Sequence, residues 1–112
     1  MTRTASLGEF EQLVLLAILR LGERATVARI ACTLEDRAGR SGSRSALYTS
    51  LDRLERKGFL RWEVEAASSE RGGYPVRRFS VTPAGLDAAR EAYAAWASLS
   101  AGLQDLLGGR TP

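Results

Sequence analysis

The hydrophobic period of the chain changes twice along its length, and this change constrains the fold more than any other feature. From Leu7 to about position 57, apolar residues recur every three to four positions, which predicts helices. Two short segments between Phe59 and Val81 instead alternate apolar and polar residues, which predicts β-strands. The helical period returns after Thr82 and Pro83, a pair typical of a helix start. The sequence therefore predicts three helices, a β-hairpin and one further helix.

Start and stop signals divide the first part of the chain into separate helices. Gly22 ends the first helix, Thr26 caps the second, and Ser43 caps a third over 43–57. The first helix is apolar around most of its circumference, so we expect it to lie centrally and to pack against several elements. The third helix is apolar along one stripe, which consists of Leu47, Leu51 and Leu54.

The residue types on which most enzymes depend are scarce. The 112-residue chain has no histidine and a single cysteine, Cys32. A zinc or nickel site therefore lacks its usual ligands, and the commonest general base is missing. Cys32 lies within the second helix pattern, where we expect it to be a small buried hydrophobe. We predict that the protein is not an enzyme and binds no metal and no cofactor.

No segment of the sequence is typical of a membrane or export signal. The longest apolar run, 13–19, is far shorter than a membrane span. Glu9 and Glu11 interrupt the region in which a signal peptide would be apolar. We therefore expect a cytoplasmic protein without a membrane partner.

The predicted element order is that of a mainly α (α+β) winged helix-turn-helix. Three helices would form the core, the hairpin a two-stranded wing, and the last helix would lie outside the core. We expect a flexible N-terminus over 1–6, a winged helix-turn-helix DNA-binding domain over 7–82, a C-terminal dimerisation helix over 83–107, and a flexible tail over 108–112.

The outer side of the third helix is cationic and carries a tyrosine. The net charge is only +3, yet fifteen of the sixteen cations are arginines, which bind phosphate and guanine bidentately. A solvated helix face and a GC-rich genome are the ordinary explanations. A recognition helix, however, inserts its N-terminal part into the major groove and contacts phosphates elsewhere. The predicted contacts are Arg44, Ser45, Tyr48 and Thr49 for bases, and Arg53 and Arg56 for phosphates. Asp52 interrupts this face; it either orients a neighbouring arginine or discriminates against a wrong base.

The hairpin loop is longer than usual and basic, which favours a wing over 66–78. Glycines let the backbone approach a phosphate chain, and an arginine can enter a minor groove. A loop with incidental arginines is the alternative. The predicted wing contacts are Arg71, Gly72, Gly73, Arg77 and Arg78.

The last helix carries a seam with alternating spacings of three and four residues, which is typical of helix pairing. The seam consists of Leu86, Ala89, Tyr93, Trp96, Ser100, Leu103 and Leu107. It would cover the domain's own core, pair with a second copy, or bind a ligand. We favour a homodimer, because an exposed apolar seam is a liability in a monomer. Tyr93 and Trp96 are also candidate contacts for a planar hydrophobic effector between two subunits. Gly102 weakens the helix and marks a kink or an earlier end.

Three segments resemble the PadR-like transcriptional regulators. They are LGEFEQLVLLAILRLGE (7–23), SALYTSLDRLERKGFL (45–60) and ERGGYPVRRFSVTPAGLDA (70–88). The resemblance implies a dimeric DNA-binding repressor with a tyrosine at the position of Tyr48 on the DNA-facing helix. It also implies a C-terminal dimerisation helix and, in some members, a hydrophobic effector site between subunits. The family often has a His-Gly-Tyr stretch where this chain has RATVARIA (24–31), so contacts made there cannot be transferred.

We therefore predict a homodimeric repressor that reads a palindromic operator. Helix 43–57 would lie in the major groove, with the 66–78 wing on the adjacent backbone or minor groove. Two alternatives remain open. One is a winged-helix protein–protein interaction module without sequence-specific DNA binding, and the other is a small-molecule binder that uses the dimer cleft.

Overall fold

A computed structural model describes residues 7–40, 42–65 and 75–108, and its elements follow the predicted order. The elements are α1 (Glu9–Leu21), a short 3₁₀ turn (Gly22–Arg24), α2 (Val27–Ala38), α3 (Arg44–Arg56), β1 (Leu60–Glu65), β2 (Val76–Val81), α4 (Pro83–Ser100) and α5 (Gln104–Leu107). This arrangement confirms the predicted three-helix core with a two-stranded wing. Within these ranges, no helix combines the length and the apolar character needed to cross a membrane.

The helix starts are fixed by hydroxyl caps at the predicted positions. The Thr26 side chain accepts a hydrogen bond from the Arg29 amide (3.4 Å) at the start of α2. Ser43 accepts from the Ala46 amide (3.1 Å) at the start of α3. Each cap satisfies one backbone N–H that has no partner inside the helix. The caps therefore set where the two helices of the helix-turn-helix pair begin.

The core lies where the broad apolar surface of α1 meets the other elements. α1 packs against α2, α3, α4 and β2, as its girth predicts. Its Val14, Leu15 and Ile18 are almost fully buried. The leucine stripe of α3 turns inward as expected and consists of Leu47, Leu51 and Leu54. Since that stripe is buried, the opposite side of α3 faces outward.

The hairpin is antiparallel and is attached to the start of α2. Trp62 pairs with Phe79 and Glu63 with Arg78 across the two strands. The Phe79 amide donates to the Ala25 carbonyl (2.9 Å), and a bridge joins Thr26 to Arg78. This contact fixes the base of the wing beside the beginning of α2. The loop over 66–74, with the predicted contacts Arg71, Gly72 and Gly73, lies outside the described residues, as do 1–6 and 109–112.

The helix expected over 83–107 is not continuous, which corrects its predicted extent. α4 ends at Ser100, and Ala101 has an extended backbone with ψ of 131°. Gly102 then has a φ of +84°, a left-handed conformation that side chains rarely adopt. The short α5 (Gln104–Leu107) follows this break. The helix therefore ends before Gly102, so that of the two expected outcomes for this region, a kink or an earlier end, the earlier end is found.

Cys32 is exposed, so the expectation of a buried cysteine is wrong. The inward residues of α2 are Ile30 and Leu34. Cys32 lies two positions from each, which places it about 200° around the helix from both. Apolar neighbours in sequence were therefore a poor guide to its surroundings.

Candidate nucleic-acid interface

The outer face of α3 presents the side chains that the sequence assigns to DNA. The exposed residues on this face are Arg44, Ser45, Tyr48, Thr49, Arg53 and Arg56. The Thr49 hydroxyl donates to the Ser45 carbonyl (3.0 Å), so its proton already has a partner inside the helix. The side chains that neighbour Tyr48 and Arg53 identify the elements on either side of this face. Tyr48 lies on the edge toward the wing, and Arg53 lies on the edge toward α1.

Asp52 lies in the middle of this cationic face. It is exposed, one turn beyond Tyr48, and forms no ion pair with Arg53 or Arg56 or with any other residue of the described ranges. The hypothesis that it orients a neighbouring arginine therefore finds no support in these contacts. The other interpretation, base discrimination, stays a prediction.

The two arginines at the base of the wing have different surroundings. The Arg77 guanidinium lies 5.0 Å from the centre of the Trp62 ring, 5.6 Å from that of Phe79 and 6.0 Å from that of Tyr48. Arg78 points to the other face of the hairpin, where its guanidinium lies 3.7 Å from the Glu63 carboxylate. Arg77 is thus in contact with α3, whereas Arg78 is not bound to it.

An open groove of about 830 Å³ runs between the start of α2, the start of α3 and the base of the wing. Four of the predicted DNA contacts line it: Arg44, Tyr48, Arg77 and Arg78. Arg24 and Arg29 line it as well, on either side of the Thr26 cap. The groove also receives two carboxylates, Glu23 and Glu65. Its walls combine arginines with a helix N-terminus, an arrangement suited to a phosphate chain.

Sequence reasoning missed Arg24 and Arg29 as parts of this surface. Their segment departs from the pattern of the family that the chain resembles, so no contact was assigned to it. The signal that could have found them is their position, since two arginines that flank a capped helix start lie beside unpaired backbone amides. This segment is distant from α3 along the chain, so no local sequence pattern indicates that Arg24 and Arg29 share a groove with Arg44.

A partly buried ion pair links the far end of α3 to α1, and sequence reasoning missed it too. The carboxylate of Glu11 accepts from the Lys57 ammonium (2.7 Å) and from the Gly8 amide (2.8 Å). Burial opposes the charged form, but the Lys57 hydrogen bond, the Gly8 amide and the charges of Lys57 and Arg53 outweigh it. The pKa of Glu11 is therefore lowered from its ordinary value of 4.5. Glu11 stays ionised and holds the C-terminal end of α3 in place.

The predicted seam of the last helix divides into a covered and an uncovered part. Leu86 and Ala89 are half-buried, and Ala89 packs against the core. Ser100 is also half-buried, and its hydroxyl donates to the Ala97 carbonyl (3.4 Å). Beyond Ala89 the large side chains are exposed: Tyr93, Trp96, Leu99, Leu103, Leu106 and Leu107. The seam pattern did not include Leu99 and Leu106, which are each 81% exposed. We call these six residues the α4–α5 apolar face.

Comparison with solved structures places these features among bacterial transcriptional regulators. A PadR family transcriptional regulator from Eggerthella lenta is 30% identical, with a TM-score of 0.66, over 91% of this chain and 88% of that one. A PadR-like transcriptional regulator from Bacillus cereus is 21% identical, with a TM-score of 0.70, over 90% and 93% of the two chains. A PadR-like transcription factor from Bacteroides fragilis is 22% identical, with a TM-score of 0.68, over 87% and 88%. No protein-family model matches the sequence, and the comparison with curated proteins also gives no match.

Proposed function

Since the chain belongs to the PadR family of transcriptional regulators, we propose that it represses transcription as a homodimer bound to a palindromic DNA operator. In this proposal α3 lies in the major groove and the 66–78 wing contacts the adjacent backbone or minor groove. The observation that carries the proposal is the placement of three cationic elements along one groove, namely the starts of α2 and α3 and the base of the wing.

The shape of α3 supports this docking. Its 13 residues span about 20 Å, and the major groove admits one helix. The N-terminal residues Arg44, Ser45, Tyr48 and Thr49 would reach base edges. Arg53 and Arg56 lie further along the helix and would neutralise phosphates. Thus one helix both sets the register on DNA and reads sequence.

The start of α2 adds a phosphate-binding position to this docking. Arg24 and Arg29 face the groove beside Arg44, and the first-turn amides of α2 add a partial positive charge. A DNA strand that passes between α2 and the wing would meet cations on both sides. Because each neutralised phosphate releases a condensed counterion, affinity should fall steeply as salt rises.

The α4–α5 apolar face supports the homodimer. Tyr93 is 72% exposed, Trp96 64% and Leu99 81%, and such a patch is uncommon on a soluble monomer. A second copy would cover it through the same surface on both chains, because two-fold interfaces are self-complementary. The two α3 helices of the dimer would then read half-sites about 34–36 Å apart. Tyr93 and Trp96 remain the candidate contacts for a planar hydrophobic effector at this interface.

Genomic DNA captured by the purified protein and then sequenced provides the first test. We expect an enriched palindromic motif, and tighter binding to a duplex that carries it than to a shuffled duplex at physiological salt. Equal binding to both would contradict sequence-specific regulation and would favour the protein–protein module.

Variants of α3 connect this binding to the proposed surface. We expect Arg44→Ala and Tyr48→Ala each to weaken operator binding by about 5–150-fold, which corresponds to about 1–3 kcal/mol for one base contact. Arg90→Ala is the matched control, since Arg90 is an exposed arginine of α4 that pairs with Asp87. The oligomeric state of all three variants should stay that of the parent protein. If Arg90→Ala weakens binding as much as Arg44→Ala, the α3 surface is not the reading surface.

A further inference from the structure

Arg77 differs from the other described arginines of the interface because three aromatic rings surround its guanidinium. The rings belong to Tyr48 of α3, Trp62 of β1 and Phe79 of β2, at 6.0, 5.0 and 5.6 Å from the guanidinium carbon. Guanidinium planes stack on aromatic rings, and this attraction is stronger where water is partly excluded. Arg77 is half-buried here. Its orientation is therefore restricted by rings from three different elements.

The rings join the wing to the recognition helix. Phe79 is buried in the core, with 2% of its surface exposed, so one ring of the cluster belongs to the packed core of the domain. Trp62 lies opposite Phe79 in the strand register and is 37% exposed. Tyr48 is 41% exposed on the DNA-facing side of α3. The Arg77 guanidinium thus lies beside the ring of a buried core residue, Phe79, and beside the rings of Trp62 in the wing and Tyr48, a candidate base contact.

We propose that Arg77 is a positioning residue that sets sequence preference through Tyr48. Its guanidinium holds the tyrosine ring and the base of the wing in one relative orientation, so that the phenol meets a defined base pair. This inference rests on the proposed function and changes the role that the sequence gave to Arg77, which was a direct contact with DNA. Arg78 is the natural comparison, because it is adjacent on β2 and faces away from the rings toward Glu63.

The two roles predict different behaviour of a lysine at this position. Lysine keeps the positive charge but lacks the planar group that stacks between rings. A phosphate contact would largely survive Arg77→Lys, whereas a stacked positioning group would not. The same distinction appears in the salt dependence. The slope of log K against log salt is negative, and the loss of a phosphate contact reduces its magnitude by about 0.9 for each contact.

The test measures affinity for the operator and for its single-base-pair variants over a series of salt concentrations. The proteins are the parent, Arg77→Lys, Arg77→Gln and Arg78→Gln. For both Arg77 variants we expect discrimination at one base pair of each half-site to fall by about tenfold, with an unchanged salt slope. For Arg78→Gln we expect a similar loss for every sequence and a smaller slope.

Several outcomes would overturn the inference. One is a lower salt slope for Arg77→Gln that Arg77→Lys restores, since this is the behaviour of a phosphate contact. Another is an unchanged base preference in both Arg77 variants. Thermal unfolding and oligomeric state are measured for every variant. If Arg77→Gln does not fold, Arg77→Lys, which conserves charge and approximate length, provides the test of base preference. A parent protein that binds all duplexes equally would instead overturn the proposed function itself. The two failures are distinguishable, because the role of Arg77 is tested only after the parent protein has shown a base preference.

Discussion

At the scale of single residues, the ion pair between Glu11 and Lys57 links the C-terminal end of α3 to α1. The Glu11 side chain is 7% exposed and the Lys57 side chain 26%, so water screens the pair less than it screens a surface pair. Glu11→Gln removes the charged acceptor of the bonds from the Lys57 ammonium and the Gly8 amide. We expect this change to destabilise the protein at pH 7 by about 1–3 kcal/mol, measured by urea unfolding.

Acid should remove the same contribution in the parent protein. The pKa of Glu11 is lower in the folded state than the ordinary value of 4.5. The stabilisation is therefore fully present above about pH 4.5 and is lost as pH falls through the folded-state pKa. The difference between parent and Glu11→Gln should shrink over that range. Glu9→Gln is the matched control, because Glu9 pairs with Arg40 at the surface with 78% of its side chain exposed. If both variants unfold alike at pH 7, the buried pair has no special role.

This pair also shows which residue-scale features the sequence could reveal. Leu47, Leu51 and Leu54 were predicted correctly because their helical spacing is itself the cause of their burial. The partner of Glu11 is 46 positions away, so no local pattern predicts the pair. The rings around Arg77 likewise come from three elements. The role of a side chain that depends on partners distant in sequence can be recognised only from the tertiary structure.

At the scale of elements, the junction between the wing and α4 depends on a close approach at Gly85. A Cβ atom at this position would overlap the Phe59 carbonyl oxygen and lie 2.9 Å from a methyl group of Val81. Thr82 strengthens the junction, since its amide donates to the same Phe59 oxygen (3.0 Å) and its hydroxyl donates to the Gly58 carbonyl (2.6 Å). The start of α4 therefore lies directly on the backbone that leads into β1.

We expect Gly85→Ala to destabilise the protein by about 1–3 kcal/mol because the new methyl group overfills this junction. The sign of the change in stability is informative, because alanine normally stabilises a helix relative to glycine by about 1 kcal/mol. Gly42→Ala is the matched control, since no atom lies within 4 Å of the Cβ that it would add and its φ is not positive. Thermal unfolding of the three proteins provides the measurement. A midpoint for Gly85→Ala at or above that of the parent would contradict the packing argument.

The end of α4 illustrates why element boundaries were harder to predict than element types. The spacing of the seam continues to Leu107, so periodicity extends the helix through Gly102. The backbone instead leaves the helix at Ala101. Periodicity describes which faces would match, whereas the backbone conformation at Ala101 and Gly102 decides whether the helix continues. Leu106, outside the predicted seam, is exposed together with Leu107.

At the scale of the whole molecule, the fold was predictable and the cationic groove beside α3 was predictable in part. The two changes of hydrophobic period were enough to predict the winged helix-turn-helix. The outer face of α3 followed from its leucine stripe. Arg24 and Arg29 joined the surface only through tertiary structure, because the bridge from Thr26 to Arg78 brings the start of α2 to the wing. A surface assembled from three elements cannot be read from any one of them.

The α4–α5 apolar face leads to the prediction that involves the entire assembly. Leu99 is 81% exposed, so Leu99→Glu should leave the folding of one chain nearly unchanged. If a second copy covers this face, the same substitution buries an unpaired charge in the interface and should dissociate the dimer. Sedimentation would then give twice the mass of the chain for the parent and one mass for the variant. Val64→Glu is the matched control, because Val64 is an exposed apolar residue of β1, and this variant should stay dimeric.

Loss of the dimer should also change how the operator is bound. Two linked recognition helices bind a palindrome more tightly than one, by about 10²–10⁴-fold, without any new contact. Leu99→Glu should therefore lose that factor on the full operator and almost nothing on an isolated half-site, although it is not part of the DNA-facing groove. A monomeric parent protein, or a variant that remains dimeric, would contradict the role given to this face. Quenching of tryptophan fluorescence by planar aromatic compounds in the parent dimer, lost in Trp96→Phe, would instead favour the dimer cleft as a small-molecule site.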